Sequence, residues 1–75
     1  MSGVNVLISI GTKRCLESNE KGEVYTRDCK EGNFNDNQKW KIIPSYHLWV
    51  KLENVATGRY LDSNSDGKVY TSPAN

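Results

Sequence analysis

The chain has 75 residues, of which 36% are hydrophobic, and its 10 Lys and Arg residues nearly balance its 9 Asp and Glu residues. A chain of this length forms one small domain at most, which buries only about 60% of the surface that its unfolded form exposes. Because the charges are interspersed and no apolar segment reaches the ~18 residues of a membrane helix, we expect no nucleic-acid partner and no membrane insertion.

Short β-rich segments alternate with turn signals along the chain, and no segment has helical periodicity over the ~12 residues that would support a helix. The sequence therefore predicts an all-β fold. In chain order, the predicted strands are 4–10, 14–17, 23–27, 39–43, 48–53, 59–62 and 68–71. Residues 19–22 and 64–67 each end in a glycine where a tight hairpin needs a positive φ, so each predicts a hairpin turn.

The chain contains an internal repeat. Residues 7–30 align without a gap on residues 52–75, at an offset of 45, with 10 of 24 positions identical. A period near 45 residues implies one supersecondary unit per copy. We therefore assign residues 1–44 to a first repeat and residues 45–75 to a second, shorter one. The shared positions in the first copy include Thr12, Arg14, Leu16, Ser18, Asn19, Gly22, Val24, Tyr25 and Thr26.

The two cysteines, Cys15 and Cys29, flank the first-copy hairpin, whereas the second copy has Tyr60 and Ala74 at these positions. Because both are replaced together, a paired role is indicated. A disulfide here would stabilise the fold by roughly 3 kcal/mol in the chain-entropy model. The alternative is two reduced core cysteines in a cytosolic protein, but we favour the disulfide and, with it, a secreted protein.

Metal-binding and catalytic patterns are weak. Residues 62–67 match the opening of an EF-hand loop, but the bidentate acid of its twelfth position would fall at Pro73. His47, the only histidine, has no cysteine or carboxylate at metal-ligand spacing. Glu17 and Asp62 occupy equivalent positions of separate repeats, so pairing them as acid and base is not supported. We expect no metal, no cofactor and no catalysis.

One group of residues suits the binding of a polyol. Asp62, Tyr70 and Asn75 lie close together across the second hairpin. Carboxylate and amide oxygens accept hydrogen bonds from adjacent hydroxyls, while an aromatic face packs against the apolar side of a sugar ring. The alternative, that Tyr70 is a core residue and Asp62 only caps the turn, stays open on these residues alone.

Gln38-Lys39-Trp40 is a Gln-x-Trp motif, and it occurs together with the strings CLESN…GEVYT…C and YLDSN…GKVYT…A. With these motifs the chain resembles the ricin-B-type lectins over nearly its whole length, and TGRYLDSNSDGKVYTSPAN is similar to the repeats of the actinohivin-like lectins. The resemblance implies a β-trefoil, in which three repeats surround a pseudo-threefold axis. It also implies one shallow sugar pocket per repeat, Trp40 in the core and a disulfide between Cys15 and Cys29.

The resemblance also implies which residues bind the sugar. In the second copy they are Asp62, Tyr70 and Asn75, and in the first they are Glu17, Tyr25, Asn37 and Gln38. Glu17 is one methylene longer than the family's aspartate, and Lys30 replaces the amide acceptor. We therefore expect the first pocket to be impaired.

The resulting prediction is a lectin module that binds pyranose sugars, with mannose-type glycans or glycoproteins as partners. The alternatives are a structural or protein-interaction trefoil without sugar binding, and a targeting module of a larger secreted toxin or glycosidase. The chain holds about one and two-thirds copies of a repeat that a trefoil needs three times. We therefore expect a homo-oligomer or, alternatively, a fragment of a longer protein.

Overall fold

The computed structural model describes residues 3–30, 32–46 and 49–73. These residues form seven β-strands and a single-turn 3-10 helix, Asp36–Gln38, which confirms the all-β prediction. The strands are β1 (Val4–Asn5), β2 (Cys15–Ser18), β3 (Val24–Arg27), β4 (Trp40–Pro44), β5 (Val50–Asn54), β6 (Tyr60–Ser63) and β7 (Val69–Ser72). No helix in these ranges is long and apolar enough to cross a membrane.

The strands form two antiparallel sheets. Five strands pair in the order β1-β4-β5-β6-β7, while β2 and β3 form a separate hairpin. The two sheets meet where Glu23 and Tyr70 form an isolated bridge and where the Thr71 N–H donates to the Gly22 carbonyl over 2.9 Å. Among the described residues no pairing joins β1 to β7, so the larger sheet is open. The predicted boundary between the repeats falls between β4 and β5.

The first strand, Val4–Asn5, is much shorter than predicted. Beyond it the chain leaves β4 and turns towards β2. The Leu16 N–H donates to the Leu7 carbonyl over 2.9 Å, and Ile8 forms an isolated bridge with Cys15. Because these backbone groups find partners in β2, the ladder with β4 does not continue.

The hydrophobic core is small and the predicted disulfide fastens it. In the described chain, Cys15 and Trp40 are the buried hydrophobic residues, and both are 0% exposed. Cys15 is bonded to Cys29, which confirms the prediction. The Trp40 indole N–H donates to the Leu16 carbonyl over 3.1 Å, so its polar group is satisfied inside the fold. The other buried residues of the described chain are Gly22 and five polar residues, namely Glu17, Ser18, Gln38, Asn54 and Thr71.

An arginine–threonine contact is the same in both repeats. Arg14 Nε donates to Thr26 Oγ1 over 3.0 Å, and its Nη2 donates to the Thr26 carbonyl over 2.9 Å. Arg59 makes the same two bonds to Thr71, at 2.9 Å and 2.6 Å. Each repeat therefore has one arginine and one threonine, at equivalent positions, whose hydrogen bonds hold its hairpin.

The asparagines of the two hairpin turns are also equivalent. In each turn the Asn19 or Asn64 side-chain oxygen accepts hydrogen bonds from two backbone N–H groups. The donors are Lys21 and Glu23 in the first turn and Asp66 and Lys68 in the second. Residues 62–67 thus form the end of β6 and a hairpin turn, as predicted.

Candidate functional site

The first-copy candidates Glu17 and Tyr25 lie directly opposite each other on β2 and β3. Their side chains therefore share one face of the hairpin with Arg27, two residues further along β3. Arg27 Nε lies 3.3 Å from Glu17 Oε2, and its guanidinium carbon lies 5.0 Å from the centre of the Tyr25 ring. Glu17, Tyr25 and Arg27 constitute the first face. The protein's own cation covers this face.

Tyr25 stays protonated beside the Glu17 carboxylate. Burial raises the pKa of the Tyr25 phenol above its ordinary value of 10.0, and hydrogen bonding to Glu17 and the negative charge of Glu17 raise it further. Arg27 acts in the opposite direction and lowers this pKa. Because the phenol is neutral at physiological pH, it donates to Glu17. Glu17, a residue that is only 7% exposed, therefore interacts with two side chains of its own hairpin, Tyr25 and Arg27.

Asn37 and Gln38 hold neighbouring backbone. Asn37 Nδ2 donates to the Ser18 carbonyl over 2.7 Å, and Gln38 Nε2 donates to the Asp28 carbonyl over 3.0 Å. Gln38 is fully buried, and its Oε1 has no hydrogen-bond partner within the described chain. The structure therefore does not bring Gln38 to the surface beside Glu17.

The β6–β7 hairpin presents the equivalent face. Asp62 pairs with Tyr70 and Tyr60 pairs with Ser72, so these four side chains share one side and constitute the second face. Asp62 Oδ2 accepts a hydrogen bond from Ser72 Oγ over 2.9 Å, and Oδ1 accepts one from the Ser63 N–H over 2.7 Å. Ser72 stands where the first copy has Arg27. Asp62 is exposed and, within the described residues, has no ion-pair partner.

A shallow, open depression of about 380 Å³ at the β6–β7 hairpin includes Asp62 of the second face. Leu61, Asp62, Ser63 and Val69 line it, while Tyr70 lies across from Asp62 on β7. Its volume is near the lower limit for ligand pockets, so it suits a small ligand. The remaining candidate, Asn75, lies outside the described residues, as does His47.

Three residues of the two faces were not predicted, namely Arg27, Tyr60 and Ser72. Strand alternation was the available signal, because each lies two residues from a predicted site residue or opposite such a neighbour. Strand alternation does not show how such a neighbouring side chain is placed. Arg27 lies over Glu17 and Tyr25, whereas Ser72 leaves Asp62 exposed.

Comparisons with known proteins do not assign the chain. No family model and no curated protein sequence gives a match. In the part of the chain that the structure describes, no three His, Cys, Asp or Glu side chains are grouped to hold a metal ion. Function is therefore inferred from the two faces and the sequence motifs.

Proposed function

We propose that this chain is a carbohydrate-binding module of the ricin-B type, without catalytic activity, that binds a pyranose sugar at the second face. The observation that carries this proposal is the cross-strand pair of Asp62 and Tyr70. It places an exposed carboxylate next to an aromatic ring, with the Ser72 hydroxyl 2.9 Å from the carboxylate. Mannose-type glycans are the preferred ligand because the repeats resemble those of the actinohivin-like lectins.

The second face has the groups that a sugar needs. Each Asp62 oxygen accepts one internal hydrogen bond and retains a lone pair for a sugar hydroxyl. Hydrogen bonds to a carboxylate are roughly twice as strong as those between neutral groups. Tyr70 supplies a ring for the apolar side of the sugar, whereas Lys51 Nζ lies 5.3 Å from the centre of the Tyr60 ring. A site with so few contacts would bind at around the millimolar level, about −4 kcal/mol, so avidity would require several sites.

The strand pairing supports a β-trefoil as the underlying architecture. Each repeat contributes a hairpin, β2–β3 or β6–β7, held by the same arginine, threonine and asparagine contacts. β1 pairs with β4, and β4 pairs with the first strand of the second repeat, β5. The disulfide favours a secreted location.

The decisive test is Asp62→Asn, which removes the charge and keeps the shape of the side chain. Asp66→Asn is the matched control, because Asp66 is an exposed acid in the turn of the same hairpin. We expect methyl α-mannoside to shift the amide resonances of Asp62, Ser63 and Tyr70 in the unaltered protein. Asp62→Asn should weaken this binding about 10- to 100-fold, corresponding to one hydrogen bond to a charged group, and Asp66→Asn should leave it unchanged.

Two outcomes would contradict the proposal. If mannose, glucose, galactose and their N-acetyl derivatives shift no resonance at up to about 50 mM, well above a millimolar dissociation constant, the second face is not a sugar site. If Asp62→Asn lowers the thermal stability but leaves sugar binding intact, the carboxylate serves the turn. If no sugar binds, the second candidate function is favoured, a protein-interaction trefoil without sugar binding. This candidate is supported by the first face, which Arg27 covers.

A further inference from the structure

A depression of about 280 Å³ lies at the open end of the β2–β3 hairpin, and its lining is mostly basic. The residues that line it are Arg14, Arg27, Asp28 and Lys30. The equivalent residues of the second repeat are Arg59, Ser72, Pro73 and Asn75. Three positive charges in the first repeat thus correspond to one in the second. The two repeats therefore differ in charge at this end of their hairpins.

The disulfide holds together the two chain segments that form the depression. Arg14 precedes Cys15, while Asp28 and Lys30 flank Cys29. The two cysteines are bonded, and their Cα atoms lie 5.1 Å apart. The charged residues beside them are therefore kept close to one another by a covalent bond.

Arg14 reaches the outer edge of β3. The Leu16 N–H donates to the Leu7 carbonyl, so Leu16 and Thr26 form a non-hydrogen-bonded pair. The Thr26 carbonyl consequently points away from β2. Arg14 Nη2 donates to this carbonyl, Nε donates to Thr26 Oγ1, and Nη1 donates to Asp28 Oδ1 over 3.0 Å. Of the five guanidinium N–H groups, two remain without a partner in the described chain.

Arg27 and Lys30 add accessible donors to the same space. Arg27 Nε lies 3.3 Å from Glu17 Oε2, so Arg27 is held by a carboxylate that does not line the depression. The Arg27 side chain is nevertheless 64% exposed. Lys30 is exposed and forms no hydrogen bond or ion pair with any described residue. Two anchored guanidinium groups and an ammonium group therefore surround one small volume.

The acids close to the depression leave it positively charged. Asp28 pairs with Arg14, and Glu17 pairs with Arg27, so each of these carboxylates balances one guanidinium. Lys30 then contributes an unbalanced charge among the described residues, while Glu31, the next residue, lies outside them. An anion is therefore the ligand that this lining would attract.

We infer that this depression binds a tetrahedral oxyanion, sulfate or phosphate, either as a free ion or as the ester group of a glycan. Guanidinium groups offer paired N–H donors that match oxyanion geometry, and an ammonium group adds a point charge. A carboxylate has two oxygens, which one guanidinium can satisfy, whereas a tetrahedral oxyanion offers an oxygen to each of three cations. The inference does not rest on sugar binding at the second face.

An NMR titration of the full, disulfide-bonded chain with sodium sulfate tests the inference. Sodium chloride keeps the ionic strength constant, because screening alone changes surface electrostatics. We expect sulfate to shift the side-chain Nε–H resonances of Arg14 and Arg27 and the amide resonance of Lys30. The dissociation constant should be on the order of 10 mM, since exposed ion pairs are individually weak.

Charge variants show whether the depression itself binds the ion. Lys30→Gln should weaken sulfate binding about two- to fivefold, as the loss of one exposed ion pair does. The matched control, Lys21→Gln, removes the same charge at the turn of the same hairpin, roughly 20 Å away and beyond the Debye length. It should leave sulfate binding unchanged. Asp28→Asn should strengthen binding about threefold, because it removes the acid from the lining and keeps the Asp28 carbonyl that accepts from Gln38.

Mannose 6-phosphate, compared with inorganic phosphate, distinguishes the two sources of the oxyanion. Tighter binding of the ester, with shifts at Lys30, assigns the depression to a phosphorylated or sulfated glycan, whereas equal binding assigns it to the free ion. Shifts at Asp62 and Tyr70 alone would report the second face and count against the depression. The inference is overturned if sulfate and phosphate shift none of the three basic residues up to about 100 mM, well above the expected dissociation constant. Equal weakening by Lys30→Gln and Lys21→Gln would also overturn it.

Discussion

Gly22 and Gly67 occupy the same position in their hairpin turns, and both have a φ of +86°. Their surroundings differ. A Cβ atom on Gly22 would lie 2.8 Å from Arg59 Nη2 and 3.0 Å from the Thr71 carbonyl oxygen, whereas one on Gly67 would meet nothing within 4 Å. Gly22 is therefore needed for its conformation and also for the close approach of the two hairpins.

Alanine substitution at each glycine separates these two requirements. Gly67→Ala should lower the free energy of unfolding by about 1 kcal/mol, because a side chain is strained at this φ. Gly22→Ala should lower it by about 1–2 kcal/mol more, since Arg59 must also move away from its position on Thr71. Urea unfolding followed by circular dichroism measures both values. Equal losses would mean that the hairpins do not pack through Gly22.

At the scale of elements, the β2–β3 and β6–β7 hairpins have the same strand pairing and turn contacts. They differ in the side chains that cover their faces. In the first, Arg27 lies against both Glu17 and Tyr25. In the second, Ser72 takes the place of the arginine and leaves Asp62 exposed. An internal cation thus occupies the first face, which agrees with the expectation from Glu17 and Lys30 that a sugar pocket there would be impaired.

Replacing two residues of the first face with their second-face equivalents tests whether Arg27 blocks ligand access to the first face. We expect Glu17→Asp combined with Arg27→Ser to uncover the first hairpin, so that methyl α-mannoside shifts the Tyr25 resonances and the stoichiometry rises from one to two per chain. Glu17→Asp alone is the control and should leave the face covered by Arg27. Loss of the partly exposed ion pair should lower the stability by only about 1 kcal/mol.

This experiment distinguishes two kinds of failure. If the unaltered protein binds sugar at Asp62 and the folded double variant gains no second site, then Arg27 does not control access to the first face. If neither protein binds sugar, the carbohydrate proposal itself fails.

The sequence predicted those elements whose formation depends on residues close to them along the chain. All seven strands were predicted because turn residues and alternation act within about ten residues, and the Asn19 and Asn64 turns follow from side-chain bonds to their own backbone. The length of β1 could not be predicted, because β1 ends where the Leu7 carbonyl accepts a hydrogen bond from the Leu16 N–H of β2 and the pairing with β4 stops. The proximity of Asp62 and Tyr70 could be predicted, because both lie in one hairpin. The contact of Arg27 with Glu17 and Tyr25 could not, because it depends on the conformation of the Arg27 side chain.

At the scale of the whole molecule, the described residues bury few apolar side chains, and the fold depends on one disulfide and on polar contacts. Cys15 and Trp40 alone represent the buried hydrophobic residues of the described chain, and Ser18 Oγ and Thr71 Oγ1 lie 3.4 Å apart where the two hairpins meet. A domain of this size has only a few kcal/mol of stability. The disulfide is therefore a large share of the total.

Removal of the disulfide should unfold the protein or bring it close to unfolding. Cys15→Ala with Cys29→Ala should lower the free energy of unfolding by about 3 kcal/mol, because the chain between these positions is no longer closed in the unfolded state. Thermal unfolding with and without a reductant measures the effect, and the double variant should not respond to the reductant. A melting temperature that reduction leaves unchanged would show that the polar contacts suffice.

The Arg14–Thr26 and Arg59–Thr71 contacts lie on the side of each hairpin opposite Glu17 and Asp62, because Thr26 and Thr71 alternate with Tyr25 and Tyr70. Side chains that hold each hairpin and side chains that could meet a ligand are thereby kept apart. After a duplication, either copy could acquire new surface chemistry by drift while its scaffold stayed intact. The same separation makes positions 62, 70 and 72 suitable for randomisation in a display library.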